Sequence, residues 1–331
     1  MKRNFCSQKS IVFVFSFLVS MFYCLSAPAG ITEADAAAKG AKYPSRPIKI
    51  ILPAAAGGSL GNEVRAITPF LEKNLGVPLV IEYVTGAEGL LAYNKIYQQK
   101  PDGYTLLYFN LTSALVLELT RETAKFETKK YSPAGGWNAK YQVLLVHPDN
   151  WKTFAEFVSE AKKRPLSVAS VGGHVHLNLN ALRSALGIKF QLIPYKASGE
   201  SITAVAGKHV DFLLTNETTP KPMIQAGKLR ALTVVSLKPD PILPGVPNLK
   251  ELGYPDVTII PQYGVFAAPP STPQAITDIF EKAVAKAIAT PEFQKVADNV
   301  GINIDYLPPE QLRKTIVEQY NFTAENKESL K

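Results

Sequence analysis

The residues best suited to chemistry lie in IILPAAAGGSLGNEVR, residues 50–65. A short buried-strand pattern runs into a proline and small-residue turn, then a glycine pair, then the opening of a helix. Such a turn points several backbone N–H groups at one spot, and the helix dipole adds positive potential there, so the chemistry is anion binding. Gly57 and Gly58 lack a Cβ, which permits left-handed dihedrals and close approach of a ligand to the backbone. Ser59 can cap the helix or donate its hydroxyl. The G-x-G-x-x-G and G-x-x-x-x-G-K-[ST] spacings are both missing from this turn, and no lysine follows the glycines to reach a phosphate, so no cofactor is expected. Taken alone, the same stretch also reads as an ordinary strand-to-helix turn.

The elements that must hold this turn belong to an exported chain. Lys2, Arg3 and Lys9 form a positive n-region, residues 11–25 are almost uninterruptedly apolar, and Ala27-Pro28-Ala29 supplies small residues for cleavage. Residues 1–29 therefore read as a signal peptide, since the apolar run is short of the roughly 20 residues of a spanning helix. Both cysteines, Cys6 and Cys24, fall inside it, so the mature chain carries no disulfide and no cysteine metal site. About 300 residues then remain, a length at which one core usually splits into two. The formal charge is +8 and the basic residues are dispersed. A nucleic-acid binder would carry a dense basic stripe with interleaved aromatics, so no nucleic-acid partner is expected.

Residues 48–52 read as a strand buried on both faces, followed by a helix with Val64, Ile67, Leu71 and Leu75 on one stripe, Pro69 as a kink and Gly76 as its stop. Strands at 79–83 and 104–109 with a helix at 90–98 complete a doubly wound, parallel α/β pattern, in which ligands sit beyond the strand C-termini. Tyr108 and Asn110 stand where such a strand delivers side chains to a cleft. Residues 113–130 read only as partly helical, and an apolar strand at 142–146 ends at His147-Pro148. A second α/β series follows: strands at 166–170, 190–194, 210–214 and 230–236 with helices between them, then a proline-rich connection. A strand at 262–268 and helical patterns at 276–288, 291–299 and 309–321 pack back on the first lobe. The expected lobes are 43–147 with 262–331, and 148–261. Two connections between lobes allow hinge closure on a ligand cleft between them.

The motifs LPAAAGGSLGNEVR at 52–65, PDGYTLL at 101–107, PYKASGE at 194–200, VDFLLTN at 210–216, AGKLRAL at 226–232 and YGVFAAP at 263–269 resemble, as an ordered set, the extracytoplasmic solute receptors of tripartite tricarboxylate transporters. The resemblance implies a two-lobed periplasmic-binding-protein fold (type II, Venus-flytrap) with the ligand cleft between lobes. It implies a small-molecule carboxylate held by two glycine turns, delivery to the membrane subunits of the transporter, a periplasmic location and no catalysis. It carries the first turn onto Ala56, Gly57, Gly58 and Ser59, and the second onto Ser170, Val171, Gly172, Gly173 and His174, with His176 near the next helix start. Thr215 and Asn216 are family-like cleft positions, and Lys196 lies in a matched turn. Relatives usually carry an aromatic residue at Ala54 and an acid at Gly61, so the pocket here has lost bulk and one negative charge. A di- or tricarboxylate or an aromatic acid fits that change.

Other classes leave weaker marks. An exported α/β hydrolase-like enzyme built on a cysteine nucleophile or a zinc helix would show a mature cysteine or His-Glu-x-x-His, neither of which is present. A ligand receptor for a sensor kinase shares the same fold and is separated by its partner. His174 and His176 have no third ligand at recognisable spacing, so no metal is expected.

Overall fold

The computed structural model describes residues 43–170, 173–195 and 198–330. The expected signal peptide, Val171, Gly172 and Lys196 lie outside them. The chain opens with β1 (Ile48–Leu52), α1 (Ser59–Leu75), β2 (Leu79–Tyr83), α2 (Leu90–Tyr97), β3 (Thr105–Asn110), α3 (Leu111–Thr120) and β4 (Ser132–Lys140). It continues through β5 (Gln142–Val146), α4 (Phe154–Lys163), β6 (Leu166–Ser170), α5 (Gly173–Leu186), β7 (Phe190–Pro194), α6 (Ser198–Ala206), β8 (Phe212–Asn216), α7 (Lys221–Gln225) and β9 (Arg230–Val235). It closes with β10 (Gln262–Ala268), α8 (Gln274–Ile288), α9 (Pro291–Val300), β11 (Ile304–Leu307) and α10 (Pro309–Glu325).

These strands form two sheets, β11-β4-β10-β3-β1-β2 and β7-β6-β8-β5-β9. The α/β class with two lobes holds. The all-parallel expectation holds only in part: β1 pairs in parallel with β2 and β3, and β6 with β7 and β8, but β10 runs antiparallel to β3 and β4, and β5 antiparallel to β8 and β9. The cause is the crossing. β4 leaves the first sheet at Lys140, β10 re-enters it at Gln262, and these two residues are register partners in an antiparallel ladder. The outgoing and returning chains therefore lie side by side. The strand at 142–146 was expected before the lobe boundary, yet it pairs in the second sheet, so the crossing falls at Tyr141 and not at His147.

Local chemistry explains most helix limits. Thr153 caps α4 by accepting the Glu156 N–H, and Phe154, Phe157, Val158 and Ala161 face inward. Gly76 ends α1 with φ +74°, and the helix continues through Pro69. On the first sheet, Tyr108, Trp137, Phe266, Phe280 and Phe293 are all fully buried. The Phe266 ring lies 4.7 Å from that of Tyr108 and 5.0 Å from that of Phe280, centroid to centroid. A second-lobe core gathers Phe154, Phe157, Leu182, Phe190 and Phe212 around Leu144 and Val168.

Candidate functional site

The first turn, Pro53 to Gly58, joins β1 to α1 at the C-terminal edge of the parallel strands, as the α/β rule requires. Ala55, Ala56, Gly57 and Ser59 are exposed, and Ala54 and Gly58 are half-buried. Gly58 is the N-cap of α1 with extended dihedrals, φ −76° and ψ 166°, and it makes no side-chain cap bond. Neither Gly57 nor Gly58 has positive φ, so the expected left-handed turn is absent. What the glycines supply is bare backbone: a Cβ at Gly57 would meet nothing within 4 Å. Ser59 is the first helical residue and not the cap. No acidic residue occupies the first turn of α1, so its positive end is uncompensated there.

Arg65, one helical turn on, holds this loop in place. Its Nη1 donates to the Ala56 carbonyl at 2.7 Å and to Tyr83 Oη at 2.6 Å, while Nη2 donates to Asn62 Oδ1. The guanidinium needs Gly61 to be small, because a Cβ there would stand 2.8 Å from the Ala56 oxygen and 3.2 Å from Arg65 Nη1. The missing acid at position 61 is thus also room for the loop.

Lys140 was missed by sequence reasoning, because β4 itself was unrecognised. Its ammonium pairs with Glu63 Oε1 and donates to Ser59 Oγ at 3.1 Å. Tyr108 Oη donates to the other oxygen of Glu63 at 2.6 Å and lies 3.1 Å from Asn138 Oδ1. Tyr108 is fully buried, and so points into this network and not into an open cleft as expected. Burial, then Glu63, pushes its hydroxyl well above the ordinary tyrosine range, so it stays a donor. Gly264 makes the arrangement possible, since a Cβ there would lie 1.9 Å from Asn138 Oδ1 and 2.2 Å from Tyr108 Oη.

The described residues of the second lobe answer with hydrogen-bonding groups. Ser170, at the end of β6, shares a 2.5 Å hydrogen bond with His176 Nε2, and its carbonyl accepts the Tyr195 N–H at 2.8 Å. Gly173 opens α5. Burial first, then His176 and Lys140, pushes the His174 imidazole down to about 4, so the ring is neutral at pH 7. The field of Lys140, a first-lobe side chain, thus reaches a second-turn histidine. Thr215 is buried in β8 opposite Val143. Gln262 Oε1 accepts from Asn216 at 3.4 Å and from Asn110 at 3.5 Å, bringing these two expected residues together across the sheets. Asn110 also caps α3 by accepting the Ser113 N–H.

Residues 64–326 match the family described as the tripartite tricarboxylate transporter family receptor. The chain belongs to that family. As a member it is a solute-binding receptor and not an enzyme. A protein of Cupriavidus necator known from the gbd 5' region is 32% identical over 283 residues, covering 82% of this chain and 83% of its own. The receptor's fold matches a solute-binding protein of the same family from Polaromonas, with TM-score 0.78 and 24% identity over 87% of this chain and 100% of that one. It also matches MatC from Rhodopseudomonas palustris with bound malate, with TM-score 0.65 and 24% identity over 86% of this chain and 100% of that one. A second R. palustris protein, with adipate, matches with TM-score 0.68 and 21% identity over 87% of this chain and 98% of that one.

Proposed function

We propose that this receptor captures a small carboxylate, with dicarboxylates preferred, between its two lobes in the periplasm and delivers it to the membrane subunits of a tripartite transporter. The observation that carries the reading is the first turn: bare backbone at Gly57 and Gly58 over an uncompensated helix N-terminus, with Lys140 bonded to Ser59 beside it. Those groups supply N–H donors and positive potential, which is what a carboxylate needs. Similar structures solved with malate and with adipate support the same ligand class.

The two lobes meet through two neighbouring strands, β4 into β5 and the return into β10, a geometry suited to hinge closure. Closure around a bound acid would give the membrane subunits one shape to recognise. Residues 1–29 would direct export and be removed.

Thermal shift with di- and tricarboxylates, aromatic acids, amino acids and sugars tests the reading, because a ligand bound only by the native state raises its melting temperature. A shift confined to carboxylates, with calorimetry giving one site and no product, is expected. Shifts with sugars or amino acids alone would overturn it.

A further inference from the structure

Beside the first turn lies a cavity of about 250 Å³ whose lining includes Ser59, Glu63, Asn138 and Lys140 from the first lobe and Asn216 and Glu217 from the second. That volume holds the end of a small molecule and not a whole drug-sized one. Resting on the carboxylate-receptor reading, we propose that this cavity receives the distal carboxylate of a dicarboxylate and that Lys140 is the residue that sets the preference for it.

The position of the ammonium is imposed from behind. Glu63 is 3% exposed and needs its partners, so Lys140 cannot swing away without leaving a buried carboxylate short of compensation. An ammonium has three N–H donors, and Glu63 and Ser59 take two. The Lys140 side chain is 22% exposed and lines the cavity, and its third N–H is the donor these two partners leave unused.

The opposite wall supplies an independent observation. Glu217 is 1% exposed, and its Oε2 has no hydrogen-bond partner among the described residues. Burial first, with the charge of Asp240 adding to it, raises its carboxyl to about 8, against the backbone hydrogen bonds at Glu217 and Tyr141 and, least of all, Lys140. At pH 7 it is a carboxylic acid, and so a donor. The cavity holds an ammonium paired with the buried Glu63 carboxylate, a hydroxyl and a neutral carboxyl, and the donors these leave unused suit an acceptor-rich anionic group. A cationic end group would face Lys140. A monocarboxylate seated on the first turn leaves the cavity to water, so only the two-headed acid gains from it.

The test is calorimetry of the full chain with succinate and adipate against butyrate and hexanoate. Lys140→Met alone strands Glu63, so the informative variant is the pair Glu63→Gln with Lys140→Met, checked for folding by circular dichroism, with Lys140→Arg as the charge-retaining control. The double variant should lose about 30-fold in dicarboxylate affinity and less than about 3-fold in monocarboxylate affinity, the value of one charge-assisted contact. Lys140→Arg should keep most of the dicarboxylate preference. Equal losses for both classes, or an unchanged preference in the folded double variant, would overturn the assignment of Lys140 while leaving the receptor reading intact. A wild-type chain that binds none of the four acids would overturn the carboxylate reading and this proposal with it.

Discussion

The two walls of the site solve the same task with different chemistry. The first-lobe wall is charged and cross-braced: Arg65 clamps the Ala56 carbonyl, and Lys140, Glu63 and Tyr108 form a chain from the turn into the core. Among its described residues, the second-lobe wall holds two ionisable side chains, His174 and Glu217, in their neutral forms. Its His174 is uncharged at pH 7, Ser170 and His176 satisfy each other, and Glu217 holds its proton. On the proposed function, an anion would find its attraction on one side and neutral donors on the other, and closure would not bring two charged faces out of water together. Under that proposal, charge on one wall would serve capture, and neutral groups on the other would let the lobes meet.

The largest expected effect breaks the charged wall. Lys140→Met alone leaves Glu63 buried with only Tyr108, and should cost about 3–5 kcal/mol in urea unfolding, as removal of one partner of a buried pair does. Glu63→Gln combined with it should recover most of that loss, because no unpaired charge remains. If the single and double variants were equally destabilised, the ion pair would not be what braces this wall.

The neutral wall is tested by pH. The Glu217 carboxyl stands at about 8 in the native state against an ordinary 4.5, so between those values the native state holds a proton that the unfolded chain has released. Stability therefore falls as pH rises through that window, by about 3 kcal/mol on reaching pH 7. His174 has the opposite sign. Its native value is about 4 against 6.5, so the unfolded chain takes up a proton first, and the stability it contributes is present above 6.5 and lost as pH falls toward 4. Between about 4.5 and 6.5 the two slopes oppose. Glu217→Gln should raise the melting temperature at pH 7 to 8, leave it unchanged at pH 4, and expose the acid-side loss due to His174. A gain of equal size at every pH would mean that the Glu217 proton is not the cause.

How much of this was legible in the sequence follows from where each residue's constraint lies. Ile48–Leu52 and the helix stripe of Val64, Ile67 and Leu71 are local patterns, and they read correctly. β4 did not, because SPAGGWNAK is buried on both faces yet has no β-branched residue, no alternation, one proline and two glycines. Without β4, both the antiparallel crossing and Lys140 were invisible. Its neighbour β10 shifts register between Gly264 and Val265 and again between Val265 and Ala267, where Gly264 lies against Tyr108 and Asn138, and no local pattern encodes that irregularity. Family resemblance located the glycine turns but not what braces them. Arg65 and Gly61 stood inside the quoted motif, and only their contact with the Ala56 carbonyl explains why both are needed.

A smaller effect sharpens the role of that brace. Arg65→Lys keeps the charge but loses the planar fork that reaches Ala56, Tyr83 and Asn62 at once. It should cost about 1–2 kcal/mol in stability, and should weaken ligand binding through the faster dissociation expected of a loosened loop. Stopped-flow release rates separate that outcome from a change in capture.

The smallest expected change in stability comes from Gly58→Val, and it separates fold from function most cleanly. Gly58 has φ −76° and ψ 166°, dihedrals that a β-branched residue accepts, and its Cβ would approach only the Ala55 carbonyl closely, at 3.3 Å. The folded state should therefore lose less than about 1 kcal/mol, within the ordinary range for a surface substitution. The added methyl groups would nonetheless stand at the opening of α1, where the proposed function seats the acid. Loss of carboxylate binding in a variant with a near-normal melting temperature assigns the first turn as the seat. Retained affinity in that folded variant would move the seat away from this turn and leave the charged wall as a brace alone.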